Sequence, residues 1–187
     1  CRAKAKTVQG MGQIKSPWEE ICCQRIWRKQ PIRNVRFWIR FYEDQTVVGI
    51  SGKKVEFDTV KFVRCRMEEC DFSGASFCNV VFDKCDFSNC SFRDTYWKNV
   101  NVSDSKGDGS QFCNSTFKWV KLLDSQFHYG NFSTALWEFG EIRGCNFRES
   151  FMSEVKFKKT VFSSTDLGRH GFFPYTVKGN GFIRVRH

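Results

Sequence analysis

Histidine is scarce in this chain. His128, His170 and His187 are the only three in 187 residues, and they are remote from one another. No Cys-x-x-Cys spacing is paired with histidine, so a structural zinc centre is not expected. Nothing resembles a phosphate loop or a metal motif. Surface carboxylates such as Glu68, Glu69 and Asp86 can be neighbours on one face, but no nucleophile and base accompany them. We assign no catalytic residue, no metal and no cofactor, and expect a protein that is not an enzyme. No apolar run approaches the roughly 20 residues that span a bilayer. The first six residues, from Cys1 to Lys6, lack an apolar signal region. A basic start at a small residue without methionine suggests a processed organellar protein; an excised domain is the alternative.

Phenylalanine, by contrast, is abundant (21 residues), and its placement is periodic. From Phe57 to Leu167 every fifth residue is large and apolar, except Gly107. Two residues before each stands a second series, including Val55, Cys65, Cys70, Ala75, Cys85 and Cys90, in which nothing is charged or longer than valine. The three remaining positions of each unit carry nearly all the charge. A period of five fits neither a helix at 3.6 nor a flat strand at 2. It requires a corner in every unit and a backbone coiling around an axis. Units this short cannot bury their faces alone, so they must stack.

Units such as Cys70-Asp71-Phe72-Ser73-Gly74 and Cys85-Asp86-Phe87-Ser88-Asn89 resemble the pentapeptide-repeat family, with its small residue two before a central leucine or phenylalanine. The resemblance covers residues 55–167. It implies an all-β fold, a right-handed, four-sided parallel β-helix with four pentapeptides per coil and about six coils. Strands stacked at about 4.8 Å would make a rod roughly 25 to 30 Å long. Some members of the family protect DNA gyrase by imitating duplex DNA with an acidic rod, and here the charge argues against that role. Residues 55–167 carry 14 basic and 16 acidic side chains, whereas residues 1–54 balance at +8 and residues 168–187 at +4. The rod is nearly neutral and the flanks are basic, so nucleic acid, an anionic surface or an acidic partner could meet the flanks.

The chain divides into a basic extension and cap over 1–54, the repeat over 55–167 and a basic tail over 168–187. Within the first, Ser16-Pro17-Trp18-Glu19 carries helix-start signals, predicting a helix over about 17–29 that Pro31 stops. Val35, Phe37, Ile39 and Phe41 alternate with Arg36, Trp38, Arg40 and Tyr42, the pattern of a half-buried strand. A turn at 43–45 precedes a second strand, placing strands over about 34–50. Gly107 at a large inward position predicts a small loop or bulge where the coil wall opens.

Ten cysteines invite a disulfide framework, but Cys65, Cys70, Cys85, Cys90 and Cys145 occupy the small inward position, where a thiol is a compact hydrophobe. We read them as reduced and buried, as in a reducing compartment.

One outward surface departs from the polar rule. At 20 residues per coil, Tyr96, Thr116 and Leu136 form one column and Trp119 and Phe139 another on the same face. Clustered exposed aromatics mark a contact surface; cover by the chain's own flanks is the alternative. Tyr96, Trp119, Leu136 and Phe139 are therefore the candidate protein-binding residues.

The favoured function is a non-enzymatic protein-interaction scaffold or accessory subunit of a larger complex. One alternative is a nucleic-acid-associated protein acting through its basic termini. Another is an extracellular receptor-like or effector domain, which would use the sequons at Asn89, Asn101, Asn114 and Asn131. Pentapeptide-repeat proteins are common in plastids and cyanobacteria, which favours a plastid over a cytoplasmic or secreted location.

Overall fold

A computed structural model describes residues 36–167; the helix expected over 17–29 and the tail over 168–187 lie outside them. The architecture follows from one local event repeated along the chain. From Asp44 to Ser164, every fifth residue has positive φ, between +47° and +71°. A single left-handed residue turns a corner in an otherwise extended chain, at a cost of roughly 1–2 kcal/mol for a residue with a Cβ. Asn, Asp or Gly stands at twelve of these 25 positions, the types that tolerate this backbone best. The corner residue sits two after each large inward one.

Four corners close a coil of 20 residues. On the first face, strands β1 (Arg36–Glu43), β3 (Glu56–Val63), β5 (Ser76–Cys78), β7 (Tyr96–Lys98), β9 (Thr116–Lys118), β11 (Leu136–Glu138) and β13 (Lys156–Lys158) pair in parallel. The register steps by one coil, Phe57 to Phe77 to Trp97 to Phe117 to Trp137 to Phe157. β3 bends at Thr59 and also opens the second face, which continues through β6 (Val81–Asp83), β8 (Asn101–Ser103), β10 (Lys121–Leu123), β12 (Glu141–Arg143) and β14 (Val161–Ser163). On the third face β2 (Thr46–Val48) pairs with β4 (Arg66–Glu68). Single bridges extend it from Arg66 to Asp86, Lys106, Gln126, Asn146 and Asp166. The fourth face is bridged from Ser51 to Asp71, Ser91, Gln111, Asn131 and Phe151. The described residues thus form an all-strand parallel β-solenoid of about six turns, as the family resemblance implies. No helix among the described residues is long and apolar enough to cross a membrane.

The large inward residues form ring stacks along the axis. Phe57 and Phe77 lie 5.1 Å apart at 10°, Phe92 and Phe112 5.1 Å apart at 4°, and Phe112 and Phe132 4.7 Å apart at 8°. Between faces the rings meet edge-on, as Phe87 and Phe92 do at 83°. Such pairs add about 0.5–1.5 kcal/mol each beyond the area they bury.

The small inward column is a hydrogen-bonding series as well as a packing one. Cys85 Sγ and Cys145 Sγ donate to the carbonyls of Asp83 and Arg143, and Ser105 and Ser125 make the same bond to Ser103 and Leu123. Cysteine and serine are interchangeable there because both are small donors aimed at the carbonyl two residues back. The seven described cysteines are free thiols.

Three details depart from the sequence pattern. The coil wall does not open at Gly107. Its N–H donates to Gln126 O at 2.8 Å, Lys106 stays in register with Asp86 and Gln126, and the rings of Phe87 and Phe127 occupy the space a side chain would take. The alternation of β1 also fails, since Tyr42 is 6% exposed and Phe41 58% exposed. β1 follows β3 around a corner, and a corner inverts the period-two alternation. Finally, the 20-residue register reaches back beyond Val55, with Arg36 opposite Glu56 and Tyr42 opposite Phe62. Strands in the segment assigned to a cap therefore lie on the repeat as a further coil.

Candidate interaction surface

The first face presents three outward columns, carried one before, one after and two after each inward ring. The first holds Tyr96, Thr116, Leu136 and Lys156 in successive rungs. The second holds Lys98, Lys118, Glu138 and Lys158. The third is the corner column, with Asn99, Trp119, Phe139 and Lys159 at positive φ.

Trp119 and Phe139 are 45% and 43% exposed, and their rings stack with centroids 5.6 Å apart and planes at 16°. Their φ values are +53° and +57°, an unfavourable backbone for a bulky side chain. Tyr96 is 38% exposed, and Leu136 is half-buried two rungs above it. The structure thus brings Trp119 and Phe139 into contact and sets Tyr96 and Leu136 on the same face, with Thr116 between them.

Lysines frame the rings, which the sequence pattern did not single out. Lys118 Nζ lies 5.2 Å from the Trp119 ring centroid and Lys159 Nζ 5.0 Å from that of Phe139, within cation–π range. Lys118 and Lys158 both pair with Glu138, at 3.3 and 3.1 Å. Hydrogen bonds from Lys158 and Lys118 hold the Glu138 carboxyl below the usual carboxylate range. The signal for these contacts was present in the coil length, since residues 118, 138 and 158 stack only if a coil is 20 residues long.

On the opposite face His128 is positioned by Asp108, whose Oδ1 accepts the His128 backbone N–H at 2.9 Å and lies 3.4 Å from Nδ1. Among the described residues no cluster of three or more His, Cys, Asp or Glu could hold a metal ion. In the core, hydrogen bonding with Cys65 and burial push the Cys85 thiol well above the ordinary thiol range, and Cys70 and burial do the same to Cys90. Burial pushes the Cys145 thiol up to about 11.

A four-sided solenoid with five-residue sides, one small and one large inward residue per side, defines a class of protein. Residues 61–96 match the family model for pentapeptide repeats, in eight copies. Residues 61–96 are thus a run of pentapeptide repeats, and the solenoid continues the same five-residue geometry on either side of them.

No curated protein matches it in sequence. Among solved structures it is similar to full-length QnrB1, a plasmid-mediated fluoroquinolone resistance protein, at 16% identity over 72% of this chain and 87% of that one, with a TM-score of 0.39. A pentapeptide repeat protein from the Arabidopsis thaliana thylakoid lumen is similar at 18% identity over 56% and 70%, with a TM-score of 0.39. Rfr23 from the cyanobacterium Cyanothece 51142 is similar at 9% identity over 79% and 97%, with a TM-score of 0.31.

Proposed function

We propose that the chain is a non-enzymatic protein-interaction scaffold, an accessory subunit of a larger complex that it grips through the first face. One observation carries this reading: two large aromatic residues, Trp119 and Phe139, stand exposed and stacked at adjacent corners where the backbone disfavours them. Strained positions filled with costly residues concentrate at functional sites, and exposed aromatic clusters are characteristic of binding hot spots. A plastid is part of the proposal, on the sequence resemblance alone.

The test is affinity purification of the protein from its native source beside the W119A/F139A variant, with crosslinking to map the contact. A defined complex that survives high salt, crosslinks to the first face and is lost in the variant is the expected result. A bare monomer, or a complex indifferent to both substitutions, overturns the reading.

A further inference from the structure

The near-neutral charge of the rod conceals a polarity across its section. On the first face, from Tyr96 to Lys159, five outward lysines (Lys98, Lys118, Lys156, Lys158 and Lys159) face one acid, Glu138. Glu138 is already paired with two of them. No ion pair within the described residues engages Lys98, Lys156 or Lys159, and all three are exposed. From Glu56 onward the first face also carries Glu56 and Asp58, so five lysines meet three acids, whereas on the opposite face the six acids Glu68, Glu69, Asp86, Asp108, Glu149 and Asp166 meet the three bases Arg66, Lys106 and Arg148. The stacked rings of Trp119 and Phe139 therefore coincide on the first face with lysines that have no ion pair among the described residues, and this surface is complementary to a ligand both anionic and apolar.

Two polyanions have that character, an acidic polypeptide and a single-stranded nucleic acid. Single strands are held by stacking bases on open aromatic faces. Here each ring turns one face to the other ring, and each has a lysine ammonium over it, Lys118 on Trp119 and Lys159 on Phe139. Around this stack the surface offers the Leu136 side chain and ammonium groups. Carboxylates and aliphatic side chains fit that surface better than nucleobases, because the rings already stack on each other and lie within cation–π range of lysines.

We propose that the first face takes an acidic segment of a protein partner, its carboxylates among Lys98, Lys156 and Lys159 and its apolar side chains against Trp119, Leu136 and Phe139. This rests on the scaffold reading and specifies the chemistry of the partner.

The experiment uses the full chain and three fluorescein-labelled probes. These are a peptide alternating aspartate and leucine, the same peptide with lysine for aspartate, and an oligothymidylate matched in charge to the first. Fluorescence anisotropy at physiological salt should show binding of the acidic peptide, little of the basic one, and weakening on added salt. The Lys98→Glu, Lys156→Glu, Lys159→Glu triple variant and the W119A/F139A variant should each lose at least tenfold in affinity, with melting temperatures near that of the parent. Acidic-peptide binding indifferent to the triple variant would place the contact on the basic flanks and overturn the proposal. Tighter binding of the oligothymidylate, lost in the same variants, would overturn it in favour of nucleic acid. Concentration-dependent self-association abolished by the triple variant would overturn it in favour of a second copy, whose acidic face would be the occupant. If the native complex is lost in W119A/F139A yet kept in the triple variant, the scaffold reading stands and this proposal falls.

Discussion

Phe87 and Phe127, two coils apart, meet across Gly107 with ring centroids 6.2 Å apart at 44°. This gap in the series of large inward residues is therefore filled by its neighbours. A Cβ on Gly107 would lie 2.6 Å from Phe87 Cε2 and 3.0 Å from Phe127 Cδ1. Gly52 stands in the same relation to Phe72, at 2.8 Å. G107A is expected to destabilise by about 1–3 kcal/mol, the usual penalty for overpacking, and G107F by more. Thermal melting checks this. An unchanged melting temperature for G107A would show that the rings move aside freely.

The corner column predicts an unusual dissociation of stability from binding. In W119N/F139N the left-handed backbone is relieved, by roughly 1–2 kcal/mol at most per corner, and the ring stack is lost, at about 0.5–1.5 kcal/mol. Net stability should stay within about 1 kcal/mol of the parent or rise above it, while partner capture disappears. A large fall in stability would identify the rings as structural.

The inward column predicts which cysteine replacements are tolerated. C85S should be nearly neutral, because a hydroxyl can make the bond Cys85 Sγ makes to Asp83 O, as Ser105 does to Ser103 O. C85A removes the donor and should cost about 1 kcal/mol. Chemical denaturation of the two variants measures the difference.

Thiol chemistry should follow burial. In the folded protein at neutral pH, Cys65, Cys70, Cys85, Cys90 and Cys145 should resist iodoacetamide, while the half-buried Cys78 and Cys113 react. After denaturation all should react, as mass mapping will report. Alkylation of Cys85 or Cys145 without unfolding would contradict the buried, protonated state assigned to them.

Stability should fall in alkali for the same reason. Cys145 titrates near 11 when folded and near 9 in its unperturbed state. A group whose folded pKa is raised contributes stability that is complete below the unfolded pKa and is lost as pH rises through the folded value. The window is therefore pH 9 to 11, with a slope of up to about 1.4 kcal/mol per pH unit for each such thiol. C145S removes one of these titrations and should lessen the fall in melting temperature over that range.

The period of five and the alternation of one small and one large inward residue were legible in the sequence, and the coil of 20 followed from the family resemblance. A core repeated at fixed spacing writes itself into the chain, and in Phe57, Phe77 and Trp97 the reader sees successive rungs of one stack. The candidate residues Trp119 and Phe139 were legible through the same arithmetic. Three features needed the tertiary structure. The fate of Gly107 depended on rings one coil below and one coil above, Phe87 and Phe127. The inversion at Phe41 and Tyr42 depended on a corner that β1 acquires by lying on β3. The pairing of Lys118 and Lys158 with Glu138, beside which Lys98, Lys156 and Lys159 have no ion pair among the described residues, depended on side-chain geometry across three rungs. Sequence alone determined how the chain coils, because corner and core recur within five residues. The tertiary structure decided what the coils do to one another, because contacts between residues 20 and 40 apart arise only when the coils are stacked.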